Sequence, residues 1–540
     1  MEVRRPQKSK LDRELGCCSS RRLKCRRLTS TPVEAKPPIN SSATTSLLLT
    51  STPLKSPGHR RPVSLEDLPE DLLHRVMSGL TVKEAGRTSV LSSRWRKRWT
   101  YHSNLCFDGT SSEFAGYDTD RFVNHVTTVL QQHSGLVVER FELRSPAVLG
   151  KEHAHHLDGW FGFVTATKAR HATLDLCPPL HCKHRDAASL TMYRLPANQP
   201  VGNGSSSSSS CTASTLSLLL GYVCLELPPI MPDGSSLLVP GFKTLKKLEL
   251  KSVVDLGGLT TLIANCPSLE YLSISNSSVH HLVVPQSRCL RYLRLEHAGL
   301  LSINLLNATS LTTFEYLGCP FVQIKTNNDL KQLSQASILL YWGFDTVGYF
   351  WDVLSCWLAP VHRLVLAFCM DKKTTRFINN PTKFIHMRHL TLFCNILGAP
   401  ESALVVLRVT QILESAPQLQ YFLLHMESSP LCLKTPKPDS IHQHVHNHLK
   451  TVQMTGVLGL SGQLELAKYI LLSANALEFM ILNLGRNGIR HRSKPDYTHF
   501  ARLEKLAKEY LDPQGLYHSV LKIVGLAGLG QSQCEFYEHN

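Results

Sequence analysis

The sequence predicts an α/β chain in which a short helical head precedes an irregular solenoid, or horseshoe, of stacked repeats. Two observations predict it. Apolar residues recur at helical spacing between residues 68 and 99, and a strand-like pattern of the type Leu-x-x-Leu-x-Leu then returns nine times. The 540 residues are 43% hydrophobic and 19% charged, which is an ordinary globular composition. Such a length is enough for about two to four domains.

Residues 1–62 form the first segment, a basic tail that we expect to be disordered. It holds 14 Lys and Arg against 4 acidic residues, and so supplies +10 of the net charge of +16. One run within it is either a nuclear import signal or simply a solvated basic stretch, and both interpretations stay open. Its cations are Arg21, Arg22, Lys24, Arg26 and Arg27. The expected location is therefore the nucleus, the cytoplasm or both.

The helical head follows this tail. Pro69 suits the first turn of a helix, where its missing N–H costs nothing. Thr81 and Glu84 have the spacing of a capping box that begins a second helix, and Ser92 or Ser93 can cap a third. The first helix has an apolar face made of Leu72, Leu73, Val76, Met77 and Leu80. Because the third helix adds Trp95 and Trp99, three short helices cannot bury all of this surface, and we expect a partner or the solenoid to cover it.

Beyond the head, residues 122–130 have the period of an amphipathic helix, and residues 137–143 alternate like a strand. The span 197–215 contains an unbroken serine run and predicts a flexible surface insert. The longest apolar stretch, from Leu216 to Val223, meets Glu226 and Pro228 too early to cross a bilayer, so no membrane partner is expected. The 16 cysteines include no CxxC pair, which favours reduced thiols inside the cell.

The repeats carry the prediction of a solenoid. The first four begin at Leu245, Leu269, Leu290 and Leu311, and their spacing falls within the range of leucine-rich repeats. The same pattern returns at irregular spacing from Val361, Met387, Leu419, Leu449 and Leu477. Each repeat supplies a strand whose alternate residues point inward, and a single repeat cannot bury that face, so neighbouring repeats must stack.

Three of the repeats share a longer pattern that strengthens this interpretation. Residues 265–272, 415–422 and 473–480 each follow an apolar helical stretch and lead into a repeat leucine. Pro267 and Pro417 end the preceding helices in two of them. The unit predicted here is a helix, a turn and a strand.

The head resembles the F-box of plant F-box proteins of the leucine-rich repeat type. The resemblance lies in the Leu-Pro-Glu-Asp-Leu opening at 68–72, in residues 87–92 with Arg94-Trp95, and in the closing Leu105-x-Phe107-Asp108. Gly86 stands where this family usually has Val or Ala. Residues 448–482 resemble the FBD domain that often ends such proteins. The expected organisation is a tail at 1–62, an F-box at 63–108, a solenoid at 109–440 and an FBD-like region at 441–540.

The resemblance implies a non-catalytic receptor without a cofactor. The F-box would dock on the Skp adaptor of a cullin-containing ubiquitin ligase, and the repeats would hold a target protein. The predicted adaptor contacts are Leu68, Pro69, Leu72, Leu73, Val76, Met77, Val90, Leu91, Trp95 and Trp99, some of which we expect in the internal core. The alternatives are a nuclear scaffold that binds nucleic acid through the basic tail, and an F-box protein that acts outside a ligase.

Basic and aromatic residues also interleave in the head, where Arg94, Arg96, Lys97 and Arg98 surround the tryptophans. This pattern occurs in proteins that bind nucleic acid. However, Trp95 and Trp99 would share one helical face with Leu91, which places them in the core and the charges in solvent. Nucleic acid is therefore not the expected partner of the head.

Three clusters of Cys and His residues contain potential metal ligands, but we do not expect them to bind a metal. Cys177, His181, Cys182 and His184 offer suitable ligands at unsuitable spacing. His442, His444, His446 and His448 would project to one side of an extended strand, but they can equally be exposed in a loop. His153, His155 and His156 lack the order of a metalloprotease motif. The glycines at 525, 528 and 530 lie too near the end of the sequence to form a phosphate loop before a helix.

Overall fold

The computed structural model describes most of the chain between residues 69 and 525. The gaps are residues 94, 111–118, 135–137, 147–148, 150, 168, 178–191, 195–214, 227–242, 286–287, 321, 327–329, 341–345, 347–348, 350–353, 355, 372–383, 398–405, 407, 429–443, 461 and 486–496. The basic tail, Leu68, most of the serine-rich insert and the glycines beyond Gly525 lie outside the described residues.

Helices bracket the solenoid and recur along its outer layer. Two belong to the head, two follow the first strands, one lies in the central repeats and three in the C-terminal part. They are α1 Glu70–Ser78, α2 Val82–Arg87, α3 Thr119–Gln132, α4 Ala154–Ala166, α5 Leu259–Ala264, α6 Val409–Glu414, α7 Gln463–Ser473 and α8 Tyr497–Leu511. Short 3-10 helices add Thr88–Val90, Arg98–Tyr101 and Lys151–His153.

Within the described residues, 15 strands form one large sheet that is not closed into a barrel. Neighbouring strands are parallel throughout. In sheet order they are β1 Asn104–Asp108, β2 Arg140–Arg144, β3 His171–Asp175, β5 Ser217–Gly221, β7 Lys247–Lys251, β9 Tyr271–Ser275, β11 Tyr292–Glu296, β13 Thr313–Gly318, β15 Gln335–Leu340, β16 Arg363–Asp371, β17 His389–Leu397, β18 Tyr421–Ser428, β19 Thr451–Val457, β20 Phe479–Leu484 and β21 Leu521–Val524.

Six shorter strands form two small parallel sheets in the same part of the chain. One contains β4 Tyr193–Arg194, β6 Val223–Leu225 and β8 Val254–Asp255, and the other contains β10 His281–Val283, β12 Ser302–Asn304 and β14 Gln323–Lys325. The second small sheet forms because the repeats that supply it are short. The repeats that begin at Leu269 and Leu290 are each 21 residues long, against 24 for the repeat with helix α5. The shorter units return through a three-residue strand instead of a helical turn.

All nine repeat patterns form strands of the large sheet, which confirms the predicted solenoid. The two inner apolar residues of each unit are buried, and the residue between them is half-buried on the open face. The residue that opens the pattern is buried in eight of the nine units, as at Leu245, Leu269 and Leu290, and is half-buried at Leu477. The helical prediction for residues 122–130 is confirmed within α3, and the strand predicted at 137–143 begins at Arg140.

Six strands of the large sheet were not among the predicted repeats, namely the last strand, β21, and β1, β2, β3, β5 and β15. Two of them show why the pattern is hard to recognise. The buried residue that opens the unit of β1 is His102 instead of leucine, and β15 has Ala336 at an inner leucine position. The first strand lies inside the segment assigned to the helical head. The head therefore leads into the solenoid without a linker.

The large core runs between the sheet and the outer layer from Val82 to Leu511. A second, small core of Leu73, Met77, Ala85 and Trp95 lies in the head. None of the described helices is both long and apolar enough to span a bilayer.

Candidate functional site: an exposed apolar surface on the helical head

Helix α1 has two apolar stripes with different environments. Leu73 and Met77 are 0% and 5% exposed and face the small core. Leu72 and Val76 are one turn apart, like the buried pair, but remain 42% and 43% exposed. The helix therefore has more apolar surface than the head can bury.

Helix α2 begins at the predicted capping box. The Thr81 N–H donates to Glu84 Oε2 at 2.9 Å, and the Glu84 N–H donates to Thr81 Oγ1 at 3.3 Å. The Thr81 hydroxyl also donates to Glu84 Oε2 at 2.9 Å, and the two hydrogen bonds that the carboxylate accepts from Thr81 lower the pKa of Glu84, because they favour its charged form. At the other end, the Thr88 hydroxyl donates to the Ala85 carbonyl at 2.6 Å and turns the chain into a 3-10 helix. This turn leaves Val90 88% and Leu91 59% exposed.

The prediction of a third α-helix in the head is wrong. Residues 91–97 are turns where they are described, and a single 3-10 turn follows at Arg98–Tyr101. Four cations between residues 94 and 98 repel one another along a helix, and Ser and Trp are weak helix formers. As a result Leu91 does not share a face with Trp95, which is only 3% exposed.

The predicted contact residues thus divide into two groups. Leu73, Met77 and Trp95 belong to the small core, and Trp99 is half-buried against both cores. They support the surface and do not form it. Leu68 lies outside the described residues. The exposed group, which we call the apolar head surface, consists of Pro69, Leu72, Val76, Val90 and Leu91.

A groove of about 600 Å³ lies beside this surface, between α1 and residues 97–103. Its lining includes Arg75, Lys97 and Arg98, together with Glu70. Arg98 is held by Glu70 through two hydrogen bonds of 2.6 Å. This pairing has no local signal in the sequence, because the two residues are 28 positions apart. The groove gives the head a cationic border next to its apolar surface.

The head is fixed to the first strand of the solenoid by His102. Its Nδ1 accepts a hydrogen bond from the Asn104 N–H at 3.0 Å, so the proton lies on Nε2, which donates to the Leu80 carbonyl at 3.0 Å. The Asn104 side-chain amide donates to the Ser78 carbonyl at 3.2 Å. Val82 of α2 packs into the large core. These contacts hold the apolar head surface in a defined position relative to β1.

The structure describes only part of the Cys and His clusters that contain potential metal ligands. Among the described residues no group of three potential ligands has a geometry that could hold a metal ion. His446 is buried with its Nε2 3.3 Å from the Tyr469 hydroxyl, whereas His444 and His448 are exposed and residues 444–448 form no strand. Burial raises the pKa of the half-buried Cys177 thiol to about 11. His181, Cys182, His184 and His442 lie outside the described residues.

The three remaining histidines lie at the start of α4. His156 Nδ1 is 3.2 Å from the Thr127 hydroxyl, which also accepts a hydrogen bond from the Trp160 indole. His153 lies between Asp120 and Glu152, with closest N···O distances of 3.7 and 3.3 Å. His153 and His156 thus connect the start of α4 to α3, and we assign them a packing role.

Comparison with known proteins identifies both parts of the chain. A family model described as the F-box domain matches residues 65–107, and one described as the At1g61320/AtMIF1 LRR domain matches residues 129–508. These matches confirm the resemblance seen in the sequence, and the second covers well over half of the chain.

Relatives that are named as F-box proteins occur in Arabidopsis thaliana, and two of them are also named for leucine-rich repeats. The F-box/FBD/LRR-repeat protein At1g13570 is 24% identical over 435 residues, which are 77% of this chain and 90% of that protein. The F-box/FBD/LRR-repeat protein At4g26340 is 25% identical over 76% of this chain and 90% of its own length. The putative FBD-associated F-box protein At5g22720 is 26% identical over 49% of this chain and 56% of its own. The chain belongs to the family of F-box proteins with leucine-rich repeats of the At1g61320/AtMIF1 type.

Proposed function

We propose that this chain is the substrate-recognition receptor of a ubiquitin ligase of the Skp–cullin–F-box type. The apolar head surface binds the Skp adaptor, the adaptor connects the chain to a cullin, and the repeats hold a target protein. Proteins of the F-box and leucine-rich repeat family are generally non-catalytic adaptors, and this chain needs no active site of its own. It would raise the effective concentration of a target lysine near a ubiquitin-charged enzyme on another subunit.

The observation that carries the proposal is the apolar head surface itself. Leu72, Val76, Val90 and Leu91 are between 42% and 88% exposed in a segment that matches the F-box model. Exposed apolar side chains on a fixed support mark interaction sites. The buried side chains behind them, with the His102 hydrogen bonds, hold them in place. Binding of the adaptor therefore requires little rearrangement of the head.

The test is a titration of the full chain with a recombinant Skp adaptor. We expect tight binding by the wild type and its loss in a Leu72→Asp, Val76→Asp variant, because each change places a charge against the partner's apolar surface. Leu256→Asp, Leu301→Asp is a matched control, since these leucines are 54% and 58% exposed on the solenoid. The circular dichroism spectra of both variants should equal that of the wild type. Failure of the folded wild type to bind would refute the proposal.

A second experiment separates a ligase receptor from an F-box protein that acts outside a ligase. Proteins captured by the repeats are assayed with the adaptor, cullin, RING subunit and charged ubiquitin enzyme. A receptor transfers ubiquitin to its captured target, and the Leu72→Asp, Val76→Asp variant does not. A target whose half-life is independent of the amount of this chain would support the alternative.

A further inference from the structure

The edge of the large sheet at which the parallel strands begin carries a row of charged residues. Most cations of this row pair with an acidic residue, either on a neighbouring strand or on their own strand. Lys246 Nζ is 2.9 Å from Glu270, Lys450 Nζ is 2.7 Å from Glu478, and Arg170 is 3.6 Å from Glu139. The chain thus neutralises its own charge along much of the edge.

The entries to β16 and β17 differ from the rest of this edge. Here lie His362, Arg363, His386, Arg388 and His389, which we call the cationic edge. The first four are exposed and His389 is half-buried. Neither guanidinium forms an ion pair or a side-chain hydrogen bond with any residue that the structure describes. Residues 361–371 and 384–397, which form the two strands and their entries, contain a single acidic residue, Asp371, which lies at the opposite end of β16.

The geometry brings these groups close together. Arg363 and His389 are direct partners across the two parallel strands. The N–H groups of Arg388 and His389 both donate to the His362 carbonyl, at 2.9 and 3.0 Å. The rings of His362 and His386 stack with their centres 5.9 Å apart. Because parallel strands lie about 4.8 Å apart, cations from both strands can reach one bound group.

The electrostatic effect of this crowding is visible at His389. Its pKa is lowered by burial first, and then by the positive charges of Arg363 and Arg388. The residues on the flanking strands are polar but uncharged, namely Ser334 and Gln335 on one side and Gln420 and Tyr421 on the other. The positive charge of the cationic edge is therefore not compensated by its immediate neighbours on the sheet.

We propose that the cationic edge binds a phosphorylated segment of the target protein. This inference rests on the proposed function, in which the repeats hold the target. A phosphoserine carries nearly two negative charges and three acceptor oxygens, which matches two arginines from adjacent strands. Arginine presents a planar fork of donors suited to phosphate. The flanking Ser334, Gln335 and Gln420 offer hydrogen bonds to the peptide on either side of the phosphate.

The test uses the full chain and three libraries of short degenerate peptides whose central residue is phosphoserine, serine or glutamate. The wild type should retain the phosphoserine library and release the serine library. Arg363→Gln, Arg388→Gln should reduce this retention at least about tenfold, because each lost charge-assisted hydrogen bond is worth a factor of that order. Lys246→Gln, Lys450→Gln removes the same charge from the same edge and should retain the library almost unchanged.

Three outcomes would overturn the inference. They are equal retention of the phosphoserine and serine libraries, retention of the glutamate library as strong as that of the phosphoserine library, and stronger retention of a single-stranded RNA oligonucleotide than of the phosphopeptides. Adaptor binding is measured on the same variants and should not change. A chain that binds phosphopeptides but not the adaptor refutes the proposed function, whereas one that binds only the adaptor refutes this inference.

Discussion

Arg98 and Glu70 form a two-pronged ion pair that ties the end of the head to the first turn of α1. Arg98 Nη1 donates to Glu70 Oε2 and Nη2 donates to Oε1, each at 2.6 Å. The guanidinium also lies 6.0 Å from the centre of the Trp95 ring. Since the described residues between 91 and 97 form no helix, this pair and the buried Trp95 hold the third segment against α1.

A double-mutant cycle should detect this ion pair. We expect Glu70→Gln and Arg98→Gln to be coupled by about 0.5 to 1 kcal/mol, because the fork geometry is good but the Glu70 side chain is 59% exposed. The protection of the α1 amides against hydrogen exchange measures the effect, and it should weaken at high salt. Additive single mutants would show that the pair contributes nothing to the stability of the head. Lys505 and Glu509, an exposed pair on α8 with an N···O distance of 3.8 Å, serve as a control with weaker coupling.

The sequence predicts those features whose cause is local. The Thr81 and Glu84 capping box lies within one turn, and the repeat strands follow from leucines three and two positions apart. The helical spacing of Leu91, Trp95 and Trp99 predicts a third helix in the head, but repulsion among the nearby cations outweighs that local signal. Strand β15 was missed because Ala336 stands at a position that a leucine usually fills.

The apolar head surface is only partly predictable from the sequence, because its burial is not a local property. The sequence places Leu72, Leu73, Val76 and Met77 on one apolar face, but only packing decides which pair is buried. That packing depends on Ala85 and Trp95, which arrive from other segments. The cationic edge has no local signal either, because His362 and His386 belong to different repeats and meet only when the strands pair.

A turn that recurs after three strands predicts that glycine is more stabilising than alanine there. Ser252, Asn276 and His297 each follow a strand with a positive φ of 49° to 53°, and their N–H groups donate to the next strand at 2.8 Å. Only glycine adopts this conformation without strain. At position 297 we expect Gly to be more stable than Ala by about 1 kcal/mol, measured by urea denaturation. At Gln335, an exposed residue in the extended strand β15, the order should be reversed. The same order at both positions would contradict the argument.

Buried histidines predict a loss of stability in acid. His446 is 2% exposed, and burial, followed by the charge of His444, lowers its pKa from 6.5 to about 4. The groups near it are His444 and Tyr469, with Glu414 acting on Tyr469. The unfolded chain therefore takes up a proton near pH 6.5 while the folded chain does not. Stability is full above pH 6.5 and falls as the pH drops towards 4, by roughly 3 kcal/mol at most.

Pulse proteolysis in urea at pH 7 and pH 4.5 measures this loss. His446→Phe should make the stability of the C-terminal repeats less dependent on pH, because the aromatic replacement keeps the volume and takes up no proton. A residual dependence should remain, since burial also lowers the pKa of His425, whose Nδ1 is 2.8 Å from Thr455 Oγ1. Equal pH dependence in the wild type and the variant would rule out His446 as a source of the effect.

Gln463 organises the connection between β19 and α7. Its side chain is fully buried, and Oε1 accepts hydrogen bonds from the N–H groups of Leu458 and Leu460 at 2.9 and 3.0 Å. Its amide donates to the Gly456 carbonyl at 3.3 Å. Gly456 has a φ of +73°, and a Cβ at this position would lie 1.8 Å from the Met426 carbonyl oxygen. One side chain thus satisfies three backbone groups in a turn that admits no other residue at 456.

Gln463→Met should therefore destabilise the C-terminal repeats by about 2 to 4 kcal/mol. Methionine has a similar volume but leaves the Leu458 and Leu460 N–H groups buried without an acceptor, at about 1 to 3 kcal/mol for each group. Gln453→Met on the open face of β19 is the matched control and should change stability by less than about 0.5 kcal/mol. The stabilities of the two variants are compared by urea denaturation, with limited proteolysis at sites beyond residue 440 as the readout. If their losses are equal, the position of α7 is set by its apolar contacts alone, and the buried amide is dispensable.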